Sequence, residues 1–123
     1  MRFMLDTNIC IYLIRRHPAQ VVAKLKTLDF QDLCLSTIVL SELEYGVFKS
    51  EHRAKNRIAL TKFLVPFEIV AFDDHAARVY GEIRADLERT GNSIGPYDLQ
   101  IAAHAIALGV TLITHNGREF RRI

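Results

Sequence analysis

The chain has 123 residues, of which half are hydrophobic and 24% are charged, and its formal net charge is +2, a composition typical of a soluble globular protein. This length suits one domain with a sizeable core, which we place at residues 1–123. No apolar run approaches the roughly 20 residues that span a membrane, and the chain opens with a strand rather than a signal peptide.

Strand-like and helix-like patterns alternate along the chain, with pairs of helices after the first two strands. In order they are a strand at 2–5, helices at 9–14 and 18–28, a strand at 33–36, helices at 37–48 and 52–64, a strand at 67–72, helices at 74–90 and 96–108, and a strand at 110–114. Thr37 and Asp73 are the predicted N-caps, and Gly91 and Gly109 follow helix ends.

This alternation predicts a parallel sheet with helices on both faces, a helix-rich three-layer α/β/α sandwich. The motifs GxGxxG and GxxxxGK[ST] are absent from the sequence, so a phosphate-cradling loop has no support. The two cysteines, Cys10 and Cys34, have apolar neighbours and no metal-type spacing. We expect them to be buried free thiols in a reducing cytoplasm.

Four polar residues lie where predicted strands pass into helices or one turn beyond: Asp6, Glu42, Asp98 and Asn116. The carboxyl ends of parallel strands converge on one crevice, so these side chains are expected to meet there. Clustered carboxylates are costly unless a cation neutralises them. Asp and Glu without a His/Cys set favour Mg²⁺ or Mn²⁺ over Zn²⁺. Such a site suits phosphodiester hydrolysis.

Each of the four residues also has a structural interpretation. Asp6 could simply cap the first helix, and Glu42 could lie on an exposed helix face. Asp98 could interact favourably with the dipole at a helix N-terminus. Asn116 precedes Gly117, a strong turn signal, and could form a turn, donate to a phosphate or supply an amide oxygen.

Other polar residues are weaker candidates. Glu119 is either a fourth acid or a helix-start residue. His104 and His115 could serve in acid–base chemistry, but lone histidines are more often structural and neither has a partner identifiable in the sequence. Small arginine groups, such as Arg15 with Arg16, are compatible with a polyanionic substrate but are commonly solvated surface.

Three segments resemble the successive motifs of PIN-domain ribonucleases, especially the VapC-type toxins of VapBC toxin–antitoxin modules: "FMLDTNICIYLI", "STIVLSELEYG" and "GPYDLQIAAHAIALGVTLITHNGREFRRI". The resemblance covers nearly the whole chain. It implies that Asp6, Glu42 and Asp98 hold the metal, with Asn116 also in the catalytic site. It implies Mg²⁺-dependent endonuclease action on RNA, with tRNA the preferred substrate and Mn²⁺ a substitute ion. It further implies a cognate VapB antitoxin, homodimers, and operator DNA contacts only through the antitoxin.

The chain departs from that family pattern in two places. Many PIN domains have a fourth acid where this chain has Asn116, so a direct metal-ligand role is not assigned to that position. Relatives usually continue with a short strand and tail beyond the point that corresponds to Ile123. Such a segment is expected to bear on stability or on antitoxin contact.

Two alternatives to a nuclease toxin share some features of this sequence. A catalytically silent PIN domain would act only as an antitoxin-binding module, although retention of all three acids argues against decay. A receiver-type phosphoacceptor domain would need paired acids after the first strand and a lysine after the last. Here the first strand is followed by one aspartate, and no lysine lies beyond Lys62.

Overall fold

A computed structural model describes residues 2–114, in which strands and helices alternate. In chain order the elements are β1 (Phe3–Leu5), α1 (Thr7–Arg15), α2 (Ala19–Leu25), a short 3₁₀ helix (Phe30–Asp32), β2 (Leu33–Ser36), α3 (Thr37–Lys49), α4 (Arg53–Leu64), β3 (Glu68–Val70), α5 (Asp74–Arg89), α6 (Pro96–Leu108) and β4 (Thr111–Ile113). Each predicted strand and helix is present with closely similar bounds. The 3₁₀ helix was not predicted, because a single short turn leaves no periodic pattern in the sequence.

The strands form one parallel sheet in the order β3-β2-β1-β4, which confirms the predicted helix-rich α/β fold with a central parallel sheet. The chain builds outward from β1 through β2 to β3 and then returns to the other side of β1 for β4. The direction of strand addition therefore reverses at β1. In open α/β sheets, ligands bind beyond the carboxyl ends of the strands at such a reversal.

The start of α3 differs from the prediction. Ser36, not Thr37, is the N-cap, and its Oγ accepts a hydrogen bond from the Ile38 amide at 3.1 Å. Thr37 is the first helical residue, and its Oγ1 accepts instead from the Phe72 amide at 3.1 Å. Either hydroxyl could cap a helix, so only the position of the segment after β3 decides between them.

The other predicted helix ends are confirmed. Asp73 caps α5 by accepting from the Ala76 amide at 2.9 Å. Pro96 occupies the first turn of α6, where its missing N–H costs no hydrogen bond. Gly109, with φ of 72°, lies in the left-handed conformation at the end of α6 and turns the chain into β4.

The core lies between the central strands and the helices that cover them. Met4, Leu5 and Leu35 are fully buried in β1 and β2. Cys10 and Cys34 are also buried and free, as predicted. Burial raises the pKa of the Cys10 thiol far above its usual range, which makes it an inert core residue. Across residues 2–114, no helix is long and apolar enough to cross a membrane.

Candidate active site

Asp6 lies directly after β1, at the point where the strand order reverses. It is only 3% exposed, and its Oδ1 accepts a hydrogen bond from the Ile9 amide at 2.9 Å, which caps α1. Its Oδ2 accepts a hydrogen bond from the Thr114 hydroxyl, just beyond β4. A carboxylate has about four lone-pair sites, so both oxygens retain capacity for a cation. The cap and the ligand interpretations of Asp6 are therefore compatible.

Glu42 lies on α3 with a half-buried side chain. Its Oε1 is buried and forms no hydrogen bond of regular geometry among residues 2–114, and the same holds for Oγ1 of Thr7. Burial is the largest influence on Glu42 and raises its pKa. A loose side-chain hydrogen bond with Thr7 lowers that pKa, while the negative charge of Asp6 raises it. Glu42 and Asp6 thus lie within electrostatic range of each other and form an acidic pair.

A buried carboxylate oxygen without a well-formed hydrogen bond is energetically costly, as is a second carboxylate beside it. A bound cation would relieve both costs at once. The structure therefore favours the functional interpretation of Glu42 over that of a solvated helix face.

Asp98 stands in the first turn of α6, as predicted, and is half-buried. Because α6 ends next to the start of β4, its first turn lies toward the carboxyl edge of the sheet. Asp98 Oδ2 lies 3.8 Å from the position that a Cβ on Gly95 would occupy. Within residues 2–114, no three His, Cys, Asp or Glu side chains are close enough together to hold a metal ion. The three acids therefore do not form a closed metal site here, and mutual repulsion disfavours their convergence without a cation.

Three sequence candidates, His115, Asn116 and Glu119, lie outside the described residues. Two others were missed by sequence reasoning. Thr7 and Thr114 each place a hydroxyl against a candidate acid, Thr7 near Glu42 and Thr114 on Asp6. Their only signal in the sequence is that Thr7 follows Asp6 and Thr114 follows a strand.

His104, which had no identifiable partner in the sequence, has one in the structure. Its Nδ1 lies 2.8 Å from the Ser36 hydroxyl, and the side chain is 1% exposed. It does not reach the acidic pair directly, so a role as general acid or base has no support from the geometry.

A largely apolar groove of about 220 Å³ runs between α1, α3 and α4, and Arg15, Glu42 and Asn56 are its polar lining residues. Its walls are mainly aliphatic, formed by Ile11, Ile14, Leu43, Val47, Ala59 and Leu60. Gly46 lies on the same surface, and a Cβ there would meet no atom within 4 Å. Past Ile14 and Ala59, the groove adjoins a cleft with Arg16, Lys55 and Lys62 along it. None of these three cations forms a salt bridge with the described acidic side chains.

An ion pair links α3 and α4, two of the three helices that form the groove. Arg57 Nη1 donates to Glu44 Oε1 at 2.8 Å, and Nη2 donates to Oε2 at 2.6 Å. These hydrogen bonds lower the pKa of Glu44. The two-pronged geometry fixes the relative position of the helices more firmly than a single contact would.

Comparison with known proteins gives a consistent result. The family model of the PIN domain matches residues 3–123. The chain is 46% identical to Ribonuclease VapC2 of Rickettsia felis, across 100% of this chain and 92% of that protein. It is 40% identical to the tRNA(fMet)-specific endonuclease VapC of Shigella flexneri, again across 100% of this chain and 92% of the relative.

Solved structures agree with the sequence relatives. VapBC2 from Rickettsia felis, bound to a DNA fragment from its promoter, has a TM-score of 0.91 at 45% identity, covering 100% of this chain and 93% of that one. DNA-bound VapBC from Salmonella typhimurium has a TM-score of 0.92 at 40% identity, covering 100% and 92%. The chain therefore belongs to the PIN-domain family and, within it, to the VapC-type ribonuclease toxins of VapBC toxin–antitoxin systems.

Proposed function

We propose that this toxin is a Mg²⁺-dependent endoribonuclease whose metal is held by Asp6, Glu42 and Asp98. The observation that carries the proposal is the buried Oε1 of Glu42, which has no hydrogen bond of regular geometry among residues 2–114 and lies near Asp6 at the carboxyl end of β1. Oxygen ligands of this kind suit a hard divalent cation, for which Mn²⁺ can substitute. Asp98 joins the pair from the first turn of α6.

The chain's own residues prepare this site for phosphodiester hydrolysis. Mg²⁺ held by Asp6, Glu42 and Asp98 would supply an activated water and would stabilise negative charge on the phosphate. The Ile9 amide and the Thr114 hydroxyl fix the orientation of the Asp6 carboxylate before any ion arrives. Burial keeps Glu42 poorly solvated, so its interaction with a cation is strong. Asn116 serves as a neutral contact to the metal shell or to the phosphate.

We infer that the substrate is tRNA. The relatives from Shigella flexneri and Salmonella typhimurium are tRNA(fMet)-specific endonucleases, at 40% and 41% identity over the whole of this chain. Initiator tRNA is therefore the first substrate to test. The toxin would act in the cytoplasm, because tRNA resides there.

We also infer that a cognate VapB antitoxin silences the enzyme. The groove between α1, α3 and α4 is largely apolar and is lined in part by Glu42, so a peptide lying in it can place a basic side chain against the acids. Arg suits this role because its planar fork can engage two carboxylates. Operator DNA is contacted through the antitoxin, and the toxin forms homodimers.

The second candidate is a catalytically silent PIN domain that only binds antitoxin. It is favoured by one observation, that three metal-ligating side chains do not converge among residues 2–114. Membership in the PIN family removes the receiver-type alternative.

A cleavage assay separates the two candidates. Purified protein is incubated with initiator tRNA and with a control elongator tRNA, in Mg²⁺, Mn²⁺ or EDTA. We expect cleavage with either ion, none with EDTA, and none by Asp6→Asn or Asp98→Asn, which remove a charge with little change in volume. Glu82→Gln, an exposed acid on α5, is the matched control and should cleave normally. Cleavage by Asp98→Asn at the wild-type rate, or cleavage by the wild-type protein in EDTA, would refute the metal assignment.

A further inference from the structure

His104 joins two helices that carry different candidate metal ligands. It lies on α6, between one and two turns beyond Asp98, and its Nδ1 is 2.8 Å from Ser36 Oγ. Ser36 ends β2 and caps α3, the helix of Glu42. Both side chains are almost completely buried, His104 at 1% and Ser36 at 0% exposure. The contact therefore spans the interior of the protein, and α3 also packs against α6.

The roles of the two atoms in this contact depend on the tautomer of His104. Ser36 Oγ already accepts from the Ile38 amide at 3.1 Å. We assign its O–H as the donor to the lone pair of His104 Nδ1, with the ring proton on Nε2, because the hydroxyl then uses both its acceptor and its donor capacity.

The surroundings of His104 agree with a neutral ring. Burial, the dominant influence, lowers the pKa of His104, whereas Asp73 and the Ala71 carbonyl act in the opposite direction. Nε2 forms no hydrogen bond of regular geometry with residues 2–114. Phe72 meets the ring edge-on, with centroids 5.4 Å apart. The ring is thus enclosed by the segment after β3, with Ser36 as its one well-formed polar contact.

We propose that His104 is a positioning residue of the nuclease, whose bond to Ser36 sets the separation between Glu42 on α3 and Asp98 on α6. This inference rests on the proposed metal site. His104 does not touch the acids. It acts instead by fixing the starts of α3 and α6, the helices that carry Glu42 and Asp98. Ser36 holds the first turn of α3, while the rigid α6 backbone carries Asp98. Residues that orient metal ligands from outside the coordination shell typically contribute about 10–100-fold to metal affinity or activity.

The test is a mutant cycle with Mn²⁺ affinity as the main measurement, made by calorimetry on folded protein without RNA. His104→Leu keeps much of the volume and removes one partner of the bond. Ser36→Gly removes the other partner, and Gly is a tolerated residue at the N-cap of α3. We expect each to weaken Mn²⁺ binding about tenfold and to lower kcat with little change in KM for tRNA. The double variant should bind Mn²⁺ no worse than the weaker-binding single variant, because either single change already removes the bond. His104→Asn, whose Oδ1 can replace Nδ1 as acceptor, should restore most of the affinity.

Ile101→Val, a fully buried position on the same helix with no polar contact, is the matched control for loss of packing. It should lower the Tm while leaving Mn²⁺ affinity unchanged. If His104→Leu lowers only the Tm, as this control does, His104 is merely structural and the inference is wrong. Additive losses in the double variant would equally overturn it. Should His104→Leu fail to fold, the comparison of Ser36→Gly with His104→Asn decides, since the first lacks the bond and the second retains it. Wild-type protein that neither binds Mn²⁺ nor cleaves tRNA would instead refute the proposed function itself.

Discussion

The hydroxyl of Thr114, just beyond β4, donates a hydrogen bond to Oδ2 of Asp6, just beyond β1. These strands are neighbours in the sheet, with Leu5 opposite Ile113. Together with the Ile9 amide on Oδ1, this bond immobilises the Asp6 carboxylate at the point where the strand order reverses. A carboxylate held in this way loses little conformational freedom on binding an ion.

Thr114→Val should therefore weaken Mn²⁺ binding by about tenfold, because it removes the hydroxyl and retains the shape of the side chain. Thr114→Ser retains the donor and should bind Mn²⁺ nearly as well as the wild type. Calorimetric titration of both variants provides the measurement. Equal affinity in Thr114→Val and Thr114→Ser would show that the orientation of Asp6 does not depend on this bond.

Glu42→Gln should raise the stability of the metal-free protein at neutral pH. Burial and Asp6 raise the pKa of Glu42 in the folded state, so the folded protein disfavours its ionised form. That penalty is present above the folded-state pKa. It disappears as the pH falls through that value towards the unfolded-state pKa, so the gain in Tm from Glu42→Gln should shrink in acid. A change of about 1 kcal/mol moves the Tm of a domain of this size by roughly 4 °C.

Thermal melts in EDTA between neutral and mildly acidic pH provide the measurement, with exposed Glu82→Gln as the control. Excess Mg²⁺ should reverse the order at neutral pH, since an ion that binds only the folded wild type stabilises it by mass action. A Glu42→Gln protein that is less stable than the wild type in EDTA at every pH would mean that its carboxylate has a stabilising partner.

Asn116→Ala should reduce cleavage less than Asp6→Asn does. A neutral amide contributes less to a cation site than a carboxylate, and Asn116→Asp should even raise the affinity for metal. Initial cleavage rates on tRNA at several Mg²⁺ concentrations rank the three variants. Complete loss of activity in Asn116→Ala would show that Asn116 is as important for cleavage as Asp6.

The antitoxin should silence the enzyme through one basic side chain placed between Asp6, Glu42 and Asp98. Replacing that residue by Ala in the antitoxin tail should restore RNase activity in the complex while binding persists. Binding survives because one ion pair contributes little beside the apolar contacts of the groove. RNase assays on the purified complex, with size-exclusion chromatography as the check on binding, measure both properties. A variant complex that stays fully inhibited would show that steric cover of the RNA path is sufficient.

Gly46→Leu should block the antitoxin and spare catalysis. A Cβ at Gly46 meets no atom within 4 Å, so a larger side chain projects into the groove without disturbing the core. Gly46→Ala is the control, and its higher helix propensity should stabilise α3 by up to about 1 kcal/mol. Antitoxin affinity by calorimetry and tRNA cleavage by the free toxin are the two readouts. Unchanged affinity in Gly46→Leu would place the antitoxin elsewhere.

Local pattern was enough to predict most elements of this fold. Asp73 as a cap, Pro96 at a helix start and Gly109 at a helix end each act on neighbours within about one helical turn. The parallel sheet followed from the alternation of strands and helices, because parallel strands need a crossover. The place of Asp6 after the first strand was likewise readable from the sequence.

The contacts that orient the site could not be predicted from local sequence patterns. Ser36 and His104 lie 68 positions apart, and Asp6 and Thr114 lie 108 apart. Which hydroxyl caps α3, and which histidine finds a partner, depends on how α6 and the segment after β3 pack against the sheet. Sequence alone predicted that Asp6 and Asp98 stand at the carboxyl edge, since strand ends and helix starts are set locally. Only the tertiary structure decided the strand order and brought the half-buried Glu42 near Asp6, because both depend on how α1 and α3 pack against the sheet.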